Sequence, residues 1–177
     1  MSYDFGKTWR QFTDNLPACT VVNVAFDMST PVRVYGAVQD PGSYRAIGDL
    51  GKGRDKIPTQ AFEETLGGEG TTHAIDTSDN NTVYASSFYG NLDRADFSKP
   101  GTTGGFRTMP CQMTNIRPKA GEGEPPLRGQ WMAPTIVSPH DPNVVYHGLQ
   151  YVFRSMHKGD AWERISPDLT GNVLSMI

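Results

Sequence analysis

The chain has 177 residues, including 19 glycines and 13 prolines, and a net charge of −3 with acidic and basic residues well mixed. That length can bury one ordinary core. The absence of a Lys/Arg stripe argues against nucleic acid or an anionic membrane as partner, and no apolar run nears the roughly 18 residues of a membrane span.

Taken in order, the elements read as brief strands. The chain opens on Ser2-Tyr3-Asp4-Phe5-Gly6-Lys7-Thr8-Trp9, a polar turn ending in a large aromatic. Val24-Ala25-Phe26-Asp27 follows, then a turn over Met28 to Pro31, then Arg33-Val34-Tyr35-Gly36. The same local pattern returns as His73-Ala74-Ile75-Asp76 with Thr82-Val83-Tyr84-Ala85, and again as Thr135-Ile136-Val137-Ser138 with Val144-Val145-Tyr146-His147. No stretch of about 12 residues is both free of breakers and marked by a 3.6-residue apolar period, whereas apolar runs bounded by Pro, Asp, Asn and Gly predict strands. The prediction is an all-β chain.

The three tyrosines of the pattern lie 49 and 62 residues apart. An opening-type turn recurs as Ser155-Met156-His157-Lys158-Gly159-Asp160-Ala161-Trp162, with His for Asp and Ala for Thr. Its serine is 153 residues after Ser2, or 51 per unit over three units. Both spacings fit a four-stranded propeller blade that buries its faces only against neighbouring blades. In the turn, the glycine can adopt positive φ, the aspartate can accept backbone N–H groups, and the tryptophan is expected between sheets. Ser2, Asp4, Gly6, Thr8, Trp9, Ser155, Gly159 and Trp162 are accordingly structural.

Ser-x-Asp-x-Gly-x-Thr-Trp resembles the Asp box, or bacterial neuraminidase repeat. The segments Tyr35 to Ser43, Gly67 to Gly70, Tyr89 to Arg94, Ser138 to Asn143 and Trp162 to Thr170 look most like bacterial sortilin-like repeat proteins. The resemblance implies a partial β-propeller of about three four-stranded antiparallel blades. Residues 1–17 would form the outer hairpin of a preceding blade; blades would span 18–66, 67–128 and 129–171, and 172–177 would start the next element. Three and a half blades would leave raw edges, so the chain reads as a fragment whose remaining blades come from the same or another chain. Extracellular or periplasmic location is implied by the resemblance alone; no signal peptide opens the sequence, whose start reads as internal.

In such a fold the loops joining second to third strands, and blade to blade, share one face. This places Asp40, Ser43, Tyr44, Glu69, His73, Tyr89, Asn91, Arg128, Trp131 and Tyr151 on a mixed polar and aromatic surface suited to a peptide or glycan. The competing reading makes each a turn former, a packing ring or an ion-pair partner. A glycosidase needs two carboxylates about 5–10 Å apart, which Asp40, Glu69 and Asp93 could supply. A sialidase would carry Arg-Ile-Pro, whereas this chain has Ile116-Arg117-Pro118. Binding without catalysis ranks first, and a xyloglucanase-like glycoside hydrolase second. The histidines show no ligand spacing, so neither a metal nor a cofactor is expected. Cys19 and Cys111 show no metal-ligand spacing and read as two buried thiols, with a disulfide between them as the alternative. Residues 114–129 read as a long structureless loop, with Glu122 and Glu124 solvated.

Overall fold

The computed structural model describes residues 2, 4–9, 21–40, 42–48, 62–101 and 111–171. Cys19, the boundary at 17–18 and the segment 172–177 lie outside them.

Twelve short strands among the described residues make three four-stranded antiparallel sheets, each an unbroken meander. The first sheet holds β1 (Val21–Phe26), β2 (Val32–Val38), β3 (Gly42–Gly48) and β4 (Glu63–Glu64). The second holds β5 (Thr72–Ile75), β6 (Thr82–Ser87), β7 (Asn91–Asp96) and β8 (Gln112–Asn115). The third holds β9 (Thr135–Val137), β10 (Val145–Gly148), β11 (Val152–Ser155) and β12 (Glu163–Arg164). Among the described residues the only helical element is a single 3₁₀ turn, Phe88–Gly90. All-β architecture is therefore established, and the three strand–turn–strand patterns are the hairpins β1–β2, β5–β6 and β9–β10.

Those hairpins close on side-chain acceptors. Asp27 Oδ1 takes the Ser29 N–H, the Ser29 hydroxyl and the Arg33 N–H. Asp76 Oδ1 takes the Ser78 N–H and hydroxyl. In the third hairpin Ser138 Oγ takes the His140 and Asp141 N–H groups. An acceptor two residues ahead of the donor fixes each turn locally, which is why short strands of two to seven residues suffice.

One cross-strand row repeats in all three sheets. It runs Ala25–Tyr35–Arg45–Glu63 in the first, Ala74–Tyr84–Arg94–Thr114 in the second and Ile136–Tyr146–Arg154–Glu163 in the third. Tyr35 is fully buried in a cluster with Leu66, Ile75, Val83, Ala85, Ala95 and Cys111, which joins the first sheet to the second. Tyr84 is fully buried with Leu92, Ile116 and Val145, which joins the second to the third. The first strands follow suit, β1 lying against β5 and β5 against β9.

The two polar turns share one backbone form. Phe5 and Lys158 are left-handed (φ 58° and 53°), followed by Gly6 and Gly159 at 85° and 96°. Asp4 accepts the Thr8 N–H at 2.8 Å and its hydroxyl at 2.6 Å. In the second turn only the Ser155 hydroxyl caps, taking the His157 and Gly159 N–H groups. Trp162 fits its expected place, half-buried and donating its indole N–H to the Ile116 carbonyl at 2.7 Å. Trp9 does not: it is 76% exposed, because its turn belongs to none of the three sheets and meets no apolar face among the described residues.

The expected loop 114–129 begins two residues later, and 116–129 holds no strand or helix but is anchored along its length. Thr114 and Asn115 pair within β8, and the rest is tied down. Ile116, Pro118 and Leu127 are buried, and Arg117 donates to the Gly90, Tyr89 and Leu127 carbonyls. Glu124 is exposed, as expected, and pairs there with Arg164 of β12. Cys111 is a buried free thiol whose pKa burial pushes up to about 11.

Candidate functional site

Five loop segments meet at one end of the sheets: 39–40, 66–71, 88–90, 128–132 and 149–151. The contact begins at Glu69, whose Oε2 accepts the Gln39 side-chain amide at 2.5 Å and the Asp40 N–H at 2.8 Å. Asp40 sits at φ 68°, a turn conformation that aspartate tolerates. Ser43, which is buried, donates to the Gly68 carbonyl.

Glycines then let aromatic rings press onto backbone. A β-carbon at Gly68 would stand 2.8 Å from the Phe88 ring, and one at Gly70 2.7 Å from Trp131 Nε1. Phe88 and Tyr89 are turned outward because Tyr89 (φ 57°) and Gly90 (φ 76°) are both left-handed. Their rings flank Trp131 edge-on, with centroids 4.7 and 5.5 Å away. Phe88, Tyr89 and Trp131 remain 37%, 40% and 37% exposed, so three rings form one open aromatic wall, and Gly68 and Gly70, which the Phe88 and Trp131 rings touch, flank Glu69 in the chain. Glu69 Oε1 has no hydrogen bond among the described residues.

Beneath the wall the sheets are locked by a neutral imidazole. His147 Nε2 lies 3.1 Å from the Gly90 carbonyl, and Nδ1 lies 2.8 Å from the Thr135 hydroxyl. A carbonyl can only accept, so Nε2 carries the proton and Nδ1 accepts from Thr135. Burial lowers the His147 pKa to about 4, assisted by the nearby Arg117 charge.

The other expected residues are engaged otherwise. His73 is buried beside Tyr35, with its pKa also lowered to about 4 by burial. Asn91 donates to Asp93 and accepts from Asn115, which also donates to Asp93. Burial raises the Asp93 pKa against these two amides. Arg128 pairs with Asp168 at 2.8 Å. Tyr151 is covered by the Arg164 guanidinium, 4.2 Å from its ring centroid, and Tyr44 is half-buried in β3. Asp40, Glu69, Tyr89 and Trp131 thus share the open surface, Ser43 and His73 lie under it, and Asn91, Arg128 and Tyr151 are held in internal contacts. Phe88 is the wall residue that the sequence reading passed over; an aromatic pair directly before a glycine in a loop was its signal.

A second depression of about 590 Å³ lies at the other end of the second sheet's strands, lined by Asp79, Arg94, Asp96, Lys99, His157 and Lys158 among others. Its cations are matched: Arg94 with Asp160, Lys99 with Asp96 and Lys158 with Asp76. Among the described residues no group of three or more His, Cys, Asp or Glu could hold a metal, and no helix is long and apolar enough to cross a membrane. Comparison of the chain with family models, curated proteins and solved structures gives no match.

Proposed function

We propose that the chain is part of an Asp-box β-propeller of the sortilin-like type and binds a peptide or glycan, without catalysis, on the wall of Phe88, Tyr89 and Trp131. The observation that carries this reading is the group of three exposed rings, two of which pack on Gly68 and Gly70 on either side of Glu69. Flat aromatic faces stack on sugar rings or apolar side chains, and Glu69 Oε1 offers a directional acceptor to a hydroxyl or amide. The repeated Tyr–Arg rows and the two matching polar turns support the propeller part, and the extracellular or periplasmic setting follows from the same family reading.

Titration with xyloglucan, related β-glucans and a peptide library, read by tryptophan fluorescence and calorimetry, tests it. Trp131→Ala should weaken binding at least tenfold, which is about 1.4 kcal/mol, while leaving the far-ultraviolet dichroism unchanged. A ligand whose affinity ignores Trp131 and Tyr89 would refute this site. The runner-up, a glycoside hydrolase, draws on the raised pKa of Asp93, as a general acid requires. Its partners here are two amides rather than a second carboxylate, which favours a structural role. Sugar release abolished by Asp93→Asn would reverse the ranking.

A further inference from the structure

The Tyr–Arg row is a docking face used twice within the molecule. In the first sheet Tyr35 is 0% exposed, and the Arg45 guanidinium stacks 3.6 Å from the Phe97 ring centroid of the second sheet. In the second sheet Tyr84 is 0% exposed, and Arg94 donates to the Lys158 carbonyl at 2.7 Å and pairs with Asp160 of the third. Each arginine is met by the turn after the third strand of the next sheet. Each tyrosine is met by an apolar row of that sheet, Ile75–Val83–Ala95 in one case and Val137–Val145 in the other.

In the third sheet the same row is covered by no other sheet among the described residues. Ile136 is 58% exposed, and Arg154 pairs only within its own sheet, with Glu163, while its Nε has no partner among the described residues. At the opposite end of the stack, the first sheet carries the matching apolar row, Phe26–Val34–Ala46, with Phe26 63% exposed and Val24 beside it also exposed. One molecule therefore presents both halves of an interface that it has already built twice.

We infer that the third sheet's Ile136–Tyr146–Arg154 face receives the Phe26–Val34 face of a second copy of this chain, so that copies associate head to tail. The contact is heterologous: different surfaces meet, and each copy retains one free half for the next. The driving force is burial of Phe26, Val24, Val34 and Ile136, the same chemistry that removes Tyr35 and Tyr84 from water. The inference uses nothing from the aromatic wall and stands or falls apart from the ligand reading.

Sedimentation of the full chain over micromolar concentrations tests it. The wild-type mass should rise with concentration. Ile136→Glu and Phe26→Glu, each on its own, should weaken association at least tenfold, since each spoils one half. Mixed in equal amounts, the two variants should form a dimer that grows no further, because the intact first-sheet face of Ile136→Glu meets the intact third-sheet face of Phe26→Glu. Both sites are exposed within the chain, and dichroism should match wild type; if Phe26→Glu unfolds, Val24→Glu replaces it. A wild-type chain monomeric throughout, including one whose own remaining residues cover these faces, overturns the inference. So does a single variant that assembles like wild type, or a mixture that stays monomeric.

Discussion

His157 occupies the place where the first polar turn has Asp4, and the two turns have the same backbone. Thr8 N–H and hydroxyl both bond to Asp4, whereas Ala161 follows His157 with no side-chain acceptor to meet it. His157→Asp should therefore restore a capping bond and stabilise the fold by about 0.5–1.5 kcal/mol, seen as a higher urea midpoint at unchanged slope; a lower midpoint would contradict this account of the turn. His73 and His147 set the response to acid. Both titrate near pH 4 in the fold, against an ordinary value of 6.5. Between those values the unfolded chain binds protons that the folded chain refuses, so stability is present above pH 6.5 and falls as pH drops toward 4, by up to about 1.4 kcal/mol per pH unit for each ring. Asp93 works in the opposite direction, because its raised pKa favours the fold as its carboxyl protonates. Unfolding free energies at pH 7.5 and 5 should reveal the slope, and His147→Gln should remove about half of it.

At the scale of elements, the seam between second and third sheets depends on a missing side chain. A β-carbon at Gly129 would lie 2.3 Å from the Tyr89 carbonyl oxygen and 2.9 Å from the Gly90 nitrogen, both backbone atoms that cannot swing aside. Gly129→Ala should cost about 1–3 kcal/mol as an overpacking change and should also weaken ligand binding, since the wall hangs from this seam; calorimetric melting together with the fluorescence titration checks both effects. The sequence makes much of this level readable. Alternating Val, Tyr and Asp in residues 24–36, 73–85 and 135–147 marks the hairpins, because strand period and turn acceptors are local properties. Trp162 is legible for the same reason. The exposure of Trp9 is not, since a motif specifies its turn but not whether a neighbouring sheet stands beside it. Nor does spacing reveal that Arg128 pairs with Asp168, or that Arg164 lies on Tyr151; those contacts depend on how the loops fold back. The order within 116–134 was likewise hidden, because its anchors are backbone carbonyls rather than recognisable side chains.

Across the whole molecule, contacts between sheets run chiefly from one sheet to the next in sequence, and β5 touches both β1 and β9. The second sheet is thus covered on both faces, and every residue of β6 is buried. A stack of this kind behaves as a row of coupled units, each stabilised by its neighbours more than by itself. Unfolding then has a direction. The outer sheets, with one neighbour each, open at lower free energy than the middle one, and cooperativity passes through the Tyr35 and Tyr84 contacts. Native-state hydrogen exchange should find the β6 amides slowest and those of β1 and β12 fastest. If copies do join end to end, raising the concentration should slow the outer strands selectively and leave β6 unchanged. The twice-repeated tyrosine contact then determines which part of the chain is the last to let in water.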